Sequence, residues 1–238
     1  MAAAERTSAD DPQSDPAKAA LALRAGQIIE RLARVIENPR SELNYDSLFQ
    51  LLVAVMLSAQ TTDKRVNLVT PALFQAAPDP ASMAALGHEG IFGFIKTVGL
   101  AGSKSRNLAA TSAIIHEKYQ DQVPSGFEDL VALPGVGSKT ALVVMNVGFG
   151  IPVIAVDTHI RRVAMRLELT KSDSPDRISD ELAGIIPDRY LLHAHHYLLL
   201  HGRYTCAARN PACGACCLND LCPSRDANQI SRANPSGS

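Results

Sequence analysis

A lysine at the start of a helix is poorly placed for structure and well placed for chemistry. In "ALPGVGSKTALVV", residues 132–144, Lys139 follows a glycine-bracketed turn and opens an apolar run that reads as a helix. The positive end of a helix dipole disfavours an ammonium, and so does partial burial, so an amine expected there gives up its proton more readily than a free one. A neutral amine can attack a carbon and form a Schiff base. The competing reading is a lysine that stays charged and contacts a phosphate. Gly135 and Gly137 flank Val136, and glycine permits positive φ and close backbone approach. With Ser138 they make a turn whose amide N–H groups can point outward at a helix mouth, a site for an anion such as a DNA phosphate. A plain helix–turn–helix corner would use the same residues with no ligand.

A carboxylate partner follows in "IAVDTHIRRVAMRL", where an apolar run leads to Asp157 and then into an amphipathic helix. Asp157 reads first as an N-cap. An ionised carboxylate at a helix mouth can also support a cationic transition state or accept a proton, and the two roles are compatible.

Four of the five cysteines form a third constellation, Cys206-x6-Cys213-x2-Cys216-x5-Cys222. The N-terminus shows no apolar secretory segment and carries several acids, so a cytosolic chain is expected, and disulfides are rare there. Structural zinc draws on paired C-x2-C knuckles, and this loop has one such pair. A short loop of four thiolates suits a [4Fe–4S] cluster, with zinc as the alternative. Cys217 is left over as a spare thiol whose place beside Cys216 leaves ligand choice open. His193, His195, His196 and His201 crowd the preceding helix and read as core and interface residues.

Helices must position all of these groups. Asn44 or Asp46 can cap "SLFQLLVAVMLSAQ", whose apolar density marks it as central. Ser125 and Glu128 read as a capping box before the glycine turn. Ser174–Pro175 starts a helix that Pro187 closes, and "DRYLLHAHHYLLLHG" runs to Gly202 as a terminating glycine. "GIPVIAV" is the one β-like run, and one strand makes no sheet, so the fold is expected to be all-α. The 238 residues suffice for one large domain or two modest ones. Residues 1–24, rich in Ala, Asp, Ser and Pro, read as a disordered tail.

A net charge of −1 gives no whole-molecule basic signature, so a nucleic-acid binder of this composition must segregate its charge. It does so in two stretches. Residues 96–118 carry Lys96, Lys104, Arg106 and Lys118 against Glu117, and residues 203–225 carry Arg203, Arg209 and Arg225 against Asp220. No uncharged apolar run is long enough to span a membrane.

The ordered set "LLVAVMLSAQTTD", "IKTVGL", "LPGVGSKTA", "IAVDTHI", "HGRYTC" and the cysteine spacing resembles the endonuclease III family, the bifunctional DNA glycosylase/AP lyases of the helix–hairpin–helix superfamily. The likeness runs from about Glu30 to about Arg225. It implies a continuous six-helix domain at 41–151 carrying the hairpin, and a discontinuous domain of 25–40 plus 152–226 carrying the [4Fe–4S] loop. A DNA-binding cleft is expected between them, and 227–238 is a second tail. The resemblance makes Lys139 the nucleophile, Asp157 its catalytic partner, and Cys206, Cys213, Cys216 and Cys222 the cluster ligands. Gln60 is implied as the wedge that fills the gap left by an extruded nucleotide, and Leu100 as the residue inserted against the opposite strand. Gly135, Val136, Gly137 and Ser138 would hold the backbone, and the cluster loop would present Arg203 and Arg209 to phosphates. Many relatives carry a basic residue where this chain has Ser138, which could cap the helix instead.

The implied activity is base excision repair of oxidised pyrimidines in double-stranded DNA, with cleavage 3′ to the abasic site by β-elimination. A cytoplasmic monomer associated with the bacterial nucleoid is expected, with no membrane partner. Three alternatives stand beside it: an adenine-mismatch glycosylase of the same superfamily, a non-catalytic helix–hairpin–helix DNA-binding module, and a zinc-binding regulator.

Overall fold

The computed structural model describes residues 16–225; the first fifteen residues and those from 226, including most of both expected tails, lie outside them. Ten α-helices occur among the described residues: α1 (Pro16–Val35), α2 (Leu48–Ser58), α3 (Asp63–Ala76), α4 (Pro80–Ile95), α5 (Ala101–Tyr119), α6 (Phe127–Val131), α7 (Ser138–Phe149), α8 (Thr158–Arg166), α9 (Pro175–Ala183) and α10 (Asp188–Tyr204). Two 3₁₀ turns, Cys213–Ala215 and Asn219–Leu221, complete them. No strand is present among the described residues, and "GIPVIAV" belongs to no regular element. The fold is all-α. Helix α1 begins at Pro16, inside the stretch to residue 24 expected to be tail.

The chain divides into two compact units, Asn38–Asp157 and one that joins the residues up to Glu37 to those from Thr158 onward. In the first unit α2 is the central element, as its composition requires: every residue from Phe49 to Leu57 is buried. It packs against α3, α5 and α7. Its N-cap is Ser47, whose side chain accepts from the Gln50 amide, rather than Asn44 or Asp46. Gln50 Oε1 in turn accepts from the amide of Asp46, the residue before the cap, at 2.8 Å, which ties the incoming chain to the first turn. Helix α6 is capped at Gly126 with no side-chain bond, so the expected Ser125–Glu128 box does not form; the helix starts one residue too late for it.

The second unit is tied together by arginines. Arg24 on α1 donates to the carbonyls of Leu167 at 2.7 Å and Glu168 at 2.9 Å, which caps the end of α8 with a cation where the helix dipole favours one. Helix α9 stops at Gly184 rather than at Pro187, which instead precedes α10. Gly202 lies inside α10, not beyond its end. A Cβ there would stand 3.0 Å from the Cβ of His159 and 3.1 Å from Cγ2 of Val163, so the glycine is needed for α8 to approach α10. His195, His196 and His201 are buried on α10, whereas His193 is exposed.

Candidate functional site

The hairpin is built from "LPGVG". The Val136 amide donates to the Leu133 carbonyl at 3.1 Å, closing the turn, and buried Val136 pins it to the core. Gly135 adopts φ +78°, and a Cβ there would fall 2.6 Å from Nδ2 of Asn107. Both the backbone conformation and the space require glycine. Gly137 differs: its φ is −91°, and a Cβ would meet nothing within 4 Å. It is the N-cap of α7 and supplies no side chain, so Ser138 is the first helical residue rather than the expected cap. The first intrahelical bond runs from the Ala141 amide to the Gly137 carbonyl. The amides of Ser138, Lys139 and Thr140 therefore precede the helical ladder at its positive end, in the arrangement that attracts an anion.

Lys139 is the second residue of α7 and is exposed. The partial burial expected of its amine is absent, because the turn projects its helix mouth into solvent. Asp157 directly precedes α8, the position of an N-cap, and is half-buried. Ile154, Ala155 and Val156 before it are buried, so its backbone is anchored by the apolar run that the sequence placed there.

Gln60 and Leu100 lie at the ends of two loops that the fold brings together. A Cβ on Gly99 would be 3.2 Å from the Gln60 carbonyl oxygen. Gln60 has φ +53° and Leu100 φ +60°, left-handed values uncommon outside glycine. Leu100 is 60% exposed, a large apolar side chain offered to solvent at a helix start. Between these loops lies a residue whose role the sequence concealed. Lys104, counted among the surface cations of 96–118, is buried and donates to the carbonyls of Leu57 at 2.7 Å and Ala59 at 2.6 Å and to Oγ1 of Thr61 at 3.1 Å. It is not a phosphate contact.

The four thiols of Cys206, Cys213, Cys216 and Cys222 line one cavity, together with Arg166, His201 and Leu218, and Cys217 does not. The surrounding donors suit an anionic sulfur set: Arg166 Nη1 donates to Cys206 Sγ at 3.3 Å and the Leu218 amide to Cys216 Sγ at 3.4 Å. Burial pushes the Cys216 thiol up to about 11, and that of Cys222 up as well. A thiol held this way keeps its proton near neutrality unless a metal replaces it. Among the described residues no three His, Cys, Asp or Glu side chains form a group that could hold a metal ion.

Three arginines hold this loop, and none was singled out by its sequence. Arg162 on α8 donates to the carbonyls of Cys206 at 3.0 Å and Gly202 at 2.7 Å, and Arg166, one turn on, donates to that of Ala207 at 2.8 Å. Arg31 on α1 pairs with the Asp220 carboxylate and donates to the Cys217 carbonyl at 3.2 Å. The pairing raises Arg31 and lowers Asp220 from their ordinary pKa values through the shared hydrogen bonds. The i, i+4 spacing of Arg162 and Arg166 was the one available signal. Arg209 is exposed in the loop and Arg203 half-buried on α10.

Residues 53–188 match the family described as the HhH-GPD superfamily base excision DNA repair protein. The chain is 49% identical over 195 residues to endonuclease III of Treponema pallidum (strain Nichols), covering 82% of this chain and 92% of the relative. Endonuclease III of Escherichia coli (strain K12) is 46% identical over 196 residues, covering 82% and 93%. A solved structure of a trapped endonuclease III–DNA covalent intermediate superposes with a TM-score of 0.83 at 37% identity, covering 87% of this chain and 98% of that one.

Proposed function

We infer that this chain, which belongs to the HhH-GPD superfamily and within it to the endonuclease III family, excises oxidised pyrimidines from duplex DNA and cleaves the strand 3′ to the resulting abasic site. It is a DNA glycosylase and AP lyase of base excision repair. The observation that carries the residue-level reading is the hairpin. Lys139 stands exposed on the second residue of α7, beside uncapped amides that can take a phosphate, so its amine is accessible to an external sugar.

The target sugar carbon is shielded while the base is stacked, so the nucleotide must leave the helix, at a cost of a few kcal/mol that is lower for a damaged base. Gln60 fills the space vacated and Leu100 enters against the opposite strand. The hairpin amides from Gly135 to Ser138 hold the backbone, with Arg203 and Arg209 on further phosphates. DNA supplies the burial that Lys139 lacks in the free protein. Its amine attacks C1′ as the base leaves, and the Asp157 carboxylate offsets the positive charge developing on the sugar. The imine acidifies the C2′ protons. Loss of one expels the 3′ phosphate by β-elimination, and hydrolysis returns the lysine.

The unit Asn38–Asp157 is read as the domain carrying this chemistry, and the other unit as the cluster domain. Cys206, Cys213, Cys216 and Cys222 would hold a [4Fe–4S] cluster, which would supply a fixed shape to the loop and no redox step to base removal. The substrate is double-stranded DNA with damaged pyrimidines or abasic sites, met by a monomer on nucleoid DNA in the cytoplasm.

Borohydride trapping on a duplex containing thymine glycol tests the mechanism. The parent protein is expected to form a covalent adduct and Lys139→Gln none. No adduct from the parent, with DNA binding intact, would leave a monofunctional glycosylase or a binding module.

A further inference from the structure

A non-glycine residue held in the left-handed region needs a cause, since the conformation is strained and persists only where its surroundings fix it. Gln60 and Leu100 are such residues, and they are the two proposed above to enter the duplex. Lys104 supplies one at Gln60. Its three acceptors, the carbonyls of Leu57 and Ala59 and the hydroxyl of Thr61, bracket Gln60 on both sides. Its own backbone amide donates to the Leu100 carbonyl at 3.0 Å. The Leu100 bond is the first rung of the α5 ladder, so it is the side chain of Lys104 that ties the Gln60 loop to the first turn of the helix Leu100 caps.

The cation suits this place. It meets carbonyls at the C-terminal end of α2, where the helix dipole favours positive charge. Bonds from a charged donor are stronger than those between neutral groups. Burial pushes the pKa of Lys104 down, so it is these acceptors that favour its charged form.

The same face of α5 continues to the hairpin. Asn107 lies against Gly135, within 2.6 Å of where a Cβ would be, and Thr111 Oγ1 donates to the Pro134 carbonyl at 2.8 Å. Lys104, Asn107 and Thr111 follow i, i+3, i+7 spacing, a single stripe of a helix. Helix α5 therefore touches, in order, the Leu100 loop, the Gln60 loop and the turn before Lys139.

We propose that Lys104 is a positioning residue for nucleotide extrusion. It locks the loops of Gln60 and Leu100 into one wedge, and α5 holds that wedge at a fixed distance from the lysine that reacts. The proposal rests on the functional reading of Gln60, Leu100 and Lys139 given above. A lysine that served stability alone would leave extrusion and chemistry equally affected by its loss.

The test compares two duplexes under single-turnover conditions. One carries thymine glycol paired with adenine, which must be unstacked; the other carries a preformed abasic site, which has no base to remove. Lys104→Met is expected to slow excision of thymine glycol by about tenfold to a hundredfold, the scale of a misplaced reacting group. Cleavage at the abasic site is expected to fall by less than about threefold, because little unstacking is needed there. Adding Lys104→Met to a Gln60→Ala, Leu100→Ala background should change thymine glycol excision no further, since the residue acts through those two. Equal losses on both substrates, or a full additional loss in the triple variant, would overturn the proposal. Thr61→Val removes the 3.1 Å acceptor of Lys104, together with the hydroxyl's own 3.4 Å bond to the Ala59 carbonyl, and serves if Lys104→Met does not fold: the same split between substrates, smaller in size, is expected, and an equal loss counts against it. A parent protein inactive on both duplexes would count against the functional reading instead.

Discussion

The hairpin and the cysteine loop each gather reactive side chains in a short segment, yet they point them in opposite directions. At the hairpin, Lys139 and Leu100 are exposed, and the groups that fix them, Lys104, Asn107 and Thr111, lie beneath on α5. At the cysteine loop, the four thiols turn inward onto a cavity, and Arg31, Arg162 and Arg166 clasp the loop from its neighbours. A site that acts on another macromolecule must present its chemistry outward and borrow desolvation from its partner. A site that holds its own cofactor must enclose it. The frames differ accordingly: backbone geometry and one buried lysine in the first, guanidinium bonds to loop carbonyls in the second.

The sharpest way to break the contrast is at Lys139. If its exposed amine acts only as the nucleophile, Lys139→Gln should lower strand cleavage by at least about a thousandfold, as losses of activated nucleophiles do. Duplex affinity should change by less than about threefold, since one phosphate contact at most is lost. Gel-shift titration beside single-turnover cleavage separates the two. A variant that loses affinity and cleavage in parallel would make the hairpin a binding device alone.

Within the hairpin, the two glycines should behave differently. Gly135→Ala forces positive φ on a residue with a Cβ and overlaps Asn107, so a loss of about 3 kcal/mol is expected in urea unfolding. Gly137→Ala meets open space at an ordinary φ, and its stability should stay within about 0.5 kcal/mol of the parent. Its added methyl would instead stand at the helix mouth and weaken DNA binding. Equal destabilisation of both would mean that the turn is packed on both sides rather than open on one.

The sequence showed the types of these residues more clearly than their orientation. The ordered motifs and their spacing singled out Lys139, Asp157 and the cysteines as candidates because chemistry restricts both type and interval. The all-α fold followed from apolar periodicity, with α2 central because it has no polar face. The caps were misread where several small polar residues compete: Ser47 took the place expected of Asn44 or Asp46, and α6 began past Ser125. The cap is decided by which residue packs first, and local sequence does not record that. Lys104 was misread for a related reason. Its acceptors lie more than forty residues away, so its charge was legible and its partners were not. Gly202 looked like a helix end because the demand for its small size comes from α8.

The clasp on the cysteine loop offers a middle-sized test. Arg166→Ala removes donors to the carbonyls of Ala207 and Ala208 and to the Cys206 sulfur. A loss of about 2 kcal/mol is expected from bonds with a charged donor. Iron content and the visible absorption of the purified protein should fall with it if the loop encloses a cluster. A colourless parent containing zinc would replace the cluster with a single-ion site and end that half of the comparison.

A last effect is set by pH, and it too falls on the inward-facing side. His196 on α10 is buried, and desolvation, aided by the nearby charges of His193 and Arg203, lowers its pKa to about 4. An unfolded histidine titrates near 6.5. Above that pH neither state is protonated and the residue adds no pH dependence. Between 6.5 and about 4 the unfolded chain takes up a proton that the folded chain refuses, so stability falls as pH falls. At pH 5.5 the loss from this one residue is about 1 kcal/mol. Unfolding free energies from urea titrations at pH 7.5 and 5.5 should differ by that amount more in the parent than in His196→Gln, which has no proton to take up. A slope unchanged by the substitution would show that water or another group relieves the burial of His196, and that the second unit is less tightly closed around α10 than its packing indicates.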